Sequence, residues 1–212
     1  MKKIFLIISL TILTITAVKS QEKIQFGLKG GINFTSMTSD FLIDKDYQTG
    51  FHIGVLAEIP LGDRYSLQPE ILYATQGVKG KVILYAIPYP GAPDFIPYPG
   101  APDVLPYPVA YKLNYIQVPV LVKIYLVNNF SLEIGPSFNF LLNDKETFEN
   151  TTRTDLGKSF EFSGVLGLSY QLKGGLFGGL RFVNGFTAAL DRDNYDEEAK
   201  NNGFQLGVGF MF

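Results

Sequence analysis

Residues 130–142 read FSLEIGPSFNFLL, and their order leaves little choice of backbone. Phe130, Leu132, Ile134, Pro136, Phe138, Phe140 and Leu142 share one parity, while Ser131, Glu133, Gly135, Ser137 and Asn139 share the other. A β-strand sends successive side chains to opposite faces, so this pattern makes one apolar and one polar face. A helix would scatter the same residues around its surface. Seven more segments read the same way. In residues 26–35, Phe26, Leu28, Ile32 and Phe34 oppose Lys29, Asn33 and Thr35. In 49–60, Phe51, Ile53, Val55, Ala57 and Ile59 oppose His52, Gly54 and Glu58. In 65–77, Leu67, Ile71 and Tyr73 oppose Gln68, Glu70, Ala74 and Gln76. In 113–125, Ile116, Val118, Val120, Val122 and Ile124 oppose Tyr115, Gln117 and Lys123. In 161–171, Phe162, Leu166, Leu168 and Tyr170 oppose Glu161, Ser163, Ser169 and Gln171. Segment 176–187 is looser and Gly-rich, with Leu180 and Phe182 opposing Arg181. In 203–212, Phe204, Leu206, Val208, Phe210 and Phe212 oppose Gln205, Gly207, Gly209 and Met211. Eight strands are expected.

The connections alternate in length. Residues 61–64, 126–129 and 172–175 are tight turns. Residues 36–48, 78–112, 143–160 and 188–202 are long loops. Short turns at one end and long loops at the other predict an all-β fold: an eight-stranded antiparallel up-and-down transmembrane barrel with short periplasmic turns and long extracellular loops. A soluble barrel with its apolar face inward is the alternative. Two features favour the inverted, lipid-facing arrangement. The apolar face is nearly continuous across strands. The other face carries ionisable residues of both signs, with Lys29, Lys123 and Arg181 against Glu58, Glu70 and Glu133. Three of each sign predict a paired network inside the barrel, because unpaired charges there would be costly.

The first residues place such a chain in the right compartment. MKKIFLIISLTILTITAVKS opens with Lys2 and Lys3, continues with an apolar run, and sets Val18 and Ser20 at the −3 and −1 places of a small-residue cleavage site. Residues 1–20 read as a secretory signal peptide, and residues 21–212 as the barrel domain. The apolar run is short for a membrane helix of roughly 20 residues. Without the leader's three lysines, the net charge moves from −2 to −5. No basic surface of the kind that binds nucleic acid is left. There is no cysteine, hence no disulfide framework and no thiol chemistry.

The chain stops at Phe212, on the apolar face of its last segment. A final strand of alternating aromatics (Phe204, Phe210, Phe212) resembles the C-terminal insertion signal that the outer-membrane barrel assembly machinery reads. The segments GLKGGINFT (27–35), LQPEILYATQG (67–77) and YIQVPVLVK (115–123) resemble the PorT-like outer-membrane β-barrel family of Bacteroidota. The likeness covers the strands and not residues 86–111. It implies the bacterial outer membrane, contact with outer-membrane lipid, and no catalytic motif. The founding type's link to protein secretion makes a secretion or assembly complex an alternative role, with a surface or secretion-complex partner. Two departures are plain. There is no tryptophan, so an interfacial girdle must come from Tyr and Phe. Pro69, Pro119 and Pro136 lie inside predicted strands, which predicts local bulges or strand ends.

Candidate chemistry is sparse. His52, the only histidine, faces inward near the long-loop end. It is read as a hydrogen-bonding lumen residue rather than a catalytic base with a serine or acid. DRDNYDEE (191–198) packs five acids into eight residues. It lacks the glycine and spacing of an EF-hand loop and is read as a solvated acidic loop rather than a Ca²⁺ site. The three glutamates are read as structural ion-pair partners and not as paired catalytic carboxylates. No cofactor is expected. Eight strands enclose an interior just wide enough for side chains, so passage of anything sizeable is not expected. The role predicted is structural or surface-binding, and a lipid-modifying barrel enzyme is the weakest alternative.

Residues 87–110, IPYPGAPDFIPYPGAPDVLPYPVA, repeat a nine-residue unit and hold eight of the chain's twelve prolines. Pro-Gly suits the centre of a type II turn, and the flanking X-Pro pairs favour extended or polyproline backbone. The repeat, an insertion at 86–111, is expected to be an outward loop of turns exposing Tyr89, Tyr98 and Tyr107. Deletion of 87–110 is expected to leave the fold intact, since loop closure grows only logarithmically with length. A docking surface for a partner competes with a tolerated tandem duplication, and the second is preferred.

Overall fold

The computed structural model of the chain describes residues 23–39, 42–85, 104–127, 129–148, 151–154, 157–192 and 197–212. The predicted leader, Tyr89 and Tyr98 lie outside these residues, as does the centre of the acidic loop at 193–196. Ten strands are present among them: β1 (Gln25–Ser39), β2 (Leu42–Gly62), β3 (Tyr65–Tyr85), β4 (Val104–Val127), β5 (Phe130–Phe148), β6 (Thr151–Arg153), β7 (Phe160–Gln171), β8 (Leu176–Gly185), β9 (Leu190–Arg192) and β10 (Glu197–Met211). Eight of them close a ring in the order β1-β2-β3-β4-β5-β7-β8-β10. The pairing of β1 with β10 completes it, while β6 and β9 pair at its edge. Every pairing is antiparallel. The seam runs from Gly27 opposite Met211 to Ser39 opposite Ala199. Phe212 extends it by donating its N–H to the Phe26 carbonyl at 2.9 Å. Closure leaves no free sheet edge, the only way a sheet can sit in hydrocarbon.

The predicted parity is realised in the lower part of every ring strand. Phe26, Ile53, Ile71, Ile134, Leu166, Leu180, Leu206 and Phe210 are exposed, while Lys29, His52, Glu70, Glu133, Ser163, Arg181 and Gln205 are buried. The exposed apolar surface has aromatic rims. Toward the long connections, Phe204 stands directly across from both Phe34 and Phe182. Phe51 packs on Tyr73, Phe138 on Phe162, Phe140 on Phe160, and Phe162 on Phe186, with centroids 5.5–5.8 Å apart. This phenylalanine-rich girdle occupies the place tryptophan often takes at a membrane interface. At the other end, Phe130 stands opposite Tyr170, and Phe210 stacks on Phe212.

Three expectations are corrected. First, the long connections are largely sheet. Residues 36–39 remain in β1, and β2 begins at Leu42. Val78 to Tyr85 pair with Tyr111 to Val104, so the third copy of the repeat lies in β4 with Pro106 and Pro108 inside the strand. Of the insertion expected at 86–111, residues 104–111 are thus strand, and residues 86–103 lie outside the described structure. Tyr107 is half-buried against Phe148, with centroids 5.6 Å apart, instead of exposed on a loop. Side chains of β3 and β4 bury apolar surface as the hairpin grows, which offsets the donors lost at proline. Secondly, Pro69, Pro119 and Pro136 cause neither bulge nor strand end. Pro69 stays opposite Val120, Pro119 opposite Ser137 and Pro136 opposite Gly164, with the register unchanged on either side. Thirdly, the irregularities fall elsewhere: between Ile43 and Asp46, between Tyr47 and His52, at Asn114/Tyr115, and beside the short turns at Pro60/Gly62 and Tyr125/Val127.

Candidate functional site

The charged interior forms from one residue type per strand at matching height. β3 supplies Glu70, β5 Glu133, β8 Arg181 and β1 Lys29. Each sits on the parity that faces the barrel axis, so the register of the sheet brings them together. Arg181 donates Nη1–H to Glu70 Oε2 at 2.8 Å and Nη2–H to Glu70 Oε1 at 2.7 Å, a fork-to-fork pair. Its Nε–H reaches Glu133 Oε2 at 2.6 Å. Lys29 Nζ stands 3.8 Å from Glu70 Oε2, and Gln68 Nε2 donates to Glu70 Oε1 at 2.6 Å. A second pair lies nearer the short turns, where Lys123 Nζ donates to Glu58 Oε2 at 2.9 Å and the Tyr125 hydroxyl donates to Glu58 Oε1. All six sequence-derived ionisable residues are thus inside the barrel, split into a quartet and a pair. The exposure of Glu70 is 1% and of Arg181 3%. At that burial each charge needs its partner, because losing one leaves the other desolvated and unpaired.

His52 lies one layer above. Its Nδ1–H donates to Asn33 Oδ1 at 2.7 Å, and Asn33 Nδ2 donates in turn to the carbonyls of Phe51 and Thr75 at 3.1 and 3.0 Å. The imidazole fits because Gly31 and Gly207 have no side chain. A Cβ on Gly31 would stand 2.6 Å from His52 Cε1, and one on Gly207 3.0 Å from His52 Nε2. Among the described residues no serine and no carboxylate hydrogen-bonds to His52, so the geometry assembles no nucleophile–base–acid set. Asn33 belongs instead to a repair of the wall. Where the β2–β3 ladder shifts register, the Thr35 hydroxyl takes the Gly77 N–H at 2.9 Å, and the Thr75 hydroxyl takes the Phe51 N–H at 2.8 Å.

Sequence reading missed further interior partners. Ser131 meets Ser169 at 2.7 Å, Asn139 donates to Ser163 at 2.9 Å, and Asn201 donates to Glu161 at 2.6 Å. Alternation placed all of these inward except Asn201, which fell in the expected 188–202 loop and instead lies in β10. Their pairing depends on which strands are neighbours.

Above the quartet the interior changes character. Met37, Leu42, Val78, Val82, Val109, Tyr111, Leu113, Tyr115, Ala189, Leu190 and Ala199 form one buried apolar cluster, with Tyr107, Leu141 and Phe148 packed on it. The Tyr111 hydroxyl donates to Glu146 Oε1 at 2.6 Å at its margin. This cluster lies beyond the aromatic girdle, between the extended β1–β5 hairpins and Ala189, Leu190 of β9 and Ala199 of β10. At the opposite end is an open mouth of ≈ 750 Å³, lined by Glu58, Arg64, Ser66, Tyr125 and Gln171 among others. Among the described residues, no group of three or more His, Asp or Glu side chains could hold a metal ion.

The predicted terminal signal residues lie on the outer wall, with Phe204, Phe210 and Phe212 all exposed.

This arrangement of wall, girdle and filled interior has counterparts. The attachment invasion locus protein Ail of Yersinia pestis, solved with the heparin analogue sucrose octasulfate, is 12% identical with a TM-score of 0.50, covering 90% of this chain and 100% of that one. Neisserial surface protein A is 12% identical with a TM-score of 0.53, again covering 90% and 100%. Both likenesses are of fold. No curated protein matches the chain significantly. The model of the outer membrane protein beta-barrel domain matches residues 19–191. The lipid-facing wall is therefore that of a bacterial outer-membrane protein, and the chain belongs to the outer membrane protein beta-barrel domain family.

Proposed function

We propose that this barrel is a membrane-anchored binding platform and not a channel or an enzyme. The apolar cluster on the extracellular side carries the reading. It fills the interior above the girdle with side chains from β1 to β4, β9 and β10, and so opposes passage of water or solute. The same packing stiffens the β3–β4 hairpin, which ends in the Tyr/Pro repeat at 86–103. A stiff stalk lowers the ordering cost of whatever its tip contacts. His52 is held by Asn33 rather than by an acid, which disfavours the lipid-modifying enzyme.

The finer kinship to PorT-like barrels of Bacteroidota rests on the segments 27–35, 67–77 and 115–123 and is part of this proposal. So are a leader cleaved after Ser20, and recognition of Phe204, Phe210 and Phe212 by the assembly machinery. The open mouth between the short turns supports a second reading, docking of a periplasmic component of a secretion or assembly complex. The test is affinity capture from intact cells, comparing the full chain with a variant whose residues 88–101 are replaced by a short turn. Loss of a captured surface partner at normal barrel yield is expected. Identical captured sets from both would overturn the platform reading. A retained periplasmic partner would favour the second.

A further inference from the structure

The outer face of the β3–β4–β5 extension carries a group of lysines that no interior or catalytic role absorbs. Lys112 on β4 stands directly across from Lys145 on β5. Gly77 is the β3 residue opposite Lys112, so Lys79, two positions along, lies on the diagonal of the same face. Directly opposed residues have Cβ atoms roughly 5 Å apart and diagonal ones about 7–8 Å, and like charges so placed destabilise a sheet. All three side chains are exposed, and none makes an ion pair among the described residues. Lys79 has Asp46 as its register partner on β2 without closing a bridge to it. Lys81, by contrast, is held at 2.8 Å by Asp44. Lys112 and Lys145 have each other and no acid as register partner, which is unexpected on a chain whose net charge is −2.

Height explains it. The girdle passes through Tyr73 on β3, Ile116 on β4 and Phe140 on β5. Lys79, Lys112 and Lys145 lie four to six residues beyond it on the same strands. At ~3.3 Å per residue and a strand tilt of ~40°, that is roughly 10–15 Å above the hydrocarbon edge. Flexible lysine stems reach back several ångströms, which puts the ammonium groups at the level of phosphorylated headgroups. The patch is continuous with the lipid-facing wall below it, through Asn114 and Asn143, which are hydrogen-bonded to each other.

We propose that Lys79, Lys112 and Lys145 form a docking site for the phosphates of an outer-leaflet lipid. An anion shared between Lys112 and Lys145 relieves their mutual repulsion, and charge opposite a headgroup gives the barrel a fixed lipid on this one side.

The test uses the full chain in phosphatidylcholine vesicles doped with lipid A, a bis-phosphorylated glycolipid, or with its dephosphorylated form. The double variant Lys112→Gln/Lys145→Gln is compared with wild type and with Lys200→Gln, an exposed lysine on β10 already paired with Glu198 at 3.5 Å. Each lysine near a charged membrane surface is expected to contribute ~5-fold, so the double variant should bind the phosphorylated lipid ~25-fold more weakly. Lys200→Gln should match wild type, and the dephosphorylated lipid should not distinguish the proteins. Equal affinity of wild type and double variant for the phosphorylated lipid would overturn the site. So would an equal loss for both lipids, or a lysine-dependent response only to a soluble sulfated oligosaccharide. Should the variant fail to fold, wild-type lipid retention is measured against salt: a steep fall supports the site, and a flat profile rejects it.

Discussion

Along β3, Gln68 and Glu70 face the interior while Ile71 and Tyr73 face outward. Further up the same strand, Val78 and Val82 face the interior while Lys79 and Lys81 face outward. β4 makes the same exchange: Gln117 and Lys123 are inside with Val118 and Val122 outside, then Leu113 and Tyr111 inside with Asn114 and Lys112 outside. The crossover coincides with the phenylalanine girdle. Below it the surrounding solvent is hydrocarbon, so the wall is apolar and polar groups must find one another inside. Above it the solvent is water, and the hairpins bury their apolar face as a soluble sheet does. One backbone therefore carries two cores of opposite chemistry, a hydrogen-bonded ion network and a packed apolar cluster, and they should fail differently.

The largest loss is expected in the lower core. Arg181→Met strands Glu70 and Glu133 without their shared cation and should destabilise the barrel by about 4 kcal/mol. Urea unfolding from vesicles measures this, and a loss below that of the apolar variant described next would mean the network is not the stronger constraint. In the upper core, Leu113→Ala removes a fully buried side chain and should cost about 3 kcal/mol, but locally. Limited proteolysis from the extracellular side should cut the β3–β4 hairpin while heat-modifiable migration of the barrel stays normal. Loss of that migration would show that the two cores are one cooperative unit. Tyr111→Phe leaves Glu146 short of its 2.6 Å donor and should cost about 2 kcal/mol, read by the same protease assay. Replacing residues 88–101 by a short turn should change stability by less than ~1 kcal/mol. Deleting 87–110 should do much more, because Val109 and Tyr107 pack in the upper core. Equal effects of the two deletions would place the third repeat copy outside the fold.

The lower half of the molecule was legible because alternation in one sense, apolar outward, runs unbroken through residues such as 130–142. Residues 78–82 also alternate, but in the opposite sense and with lysines on the outward parity. Read by the rule that apolar means outward, they became a loop, and so did the prolines of 106 and 108. The six ionisable interior residues were legible by parity alone. Which acid meets which base was not: Lys123 and Glu58 are on strands two apart in the ring, and Arg181 reaches Glu70 across the interior. The role of Asn33, Thr35 and Thr75 in mending the β2–β3 ladder had no sequence signal, since nothing local marks where register slips.

Alternation and the spacing of turns determined the eight strands of the ring, though not the short β6 and β9, and with them the antiparallel order and the sense of the membrane wall, because each follows from side chains adjacent in sequence and from the cost of exposing polar groups to lipid. The tertiary structure alone decided how far the hairpins rise beyond the membrane and where polarity inverts. It also decided which charges pair and that three lysines converge above the girdle. Those outcomes depend on register between strands far apart in the chain, and register is set by the whole closed ring at once.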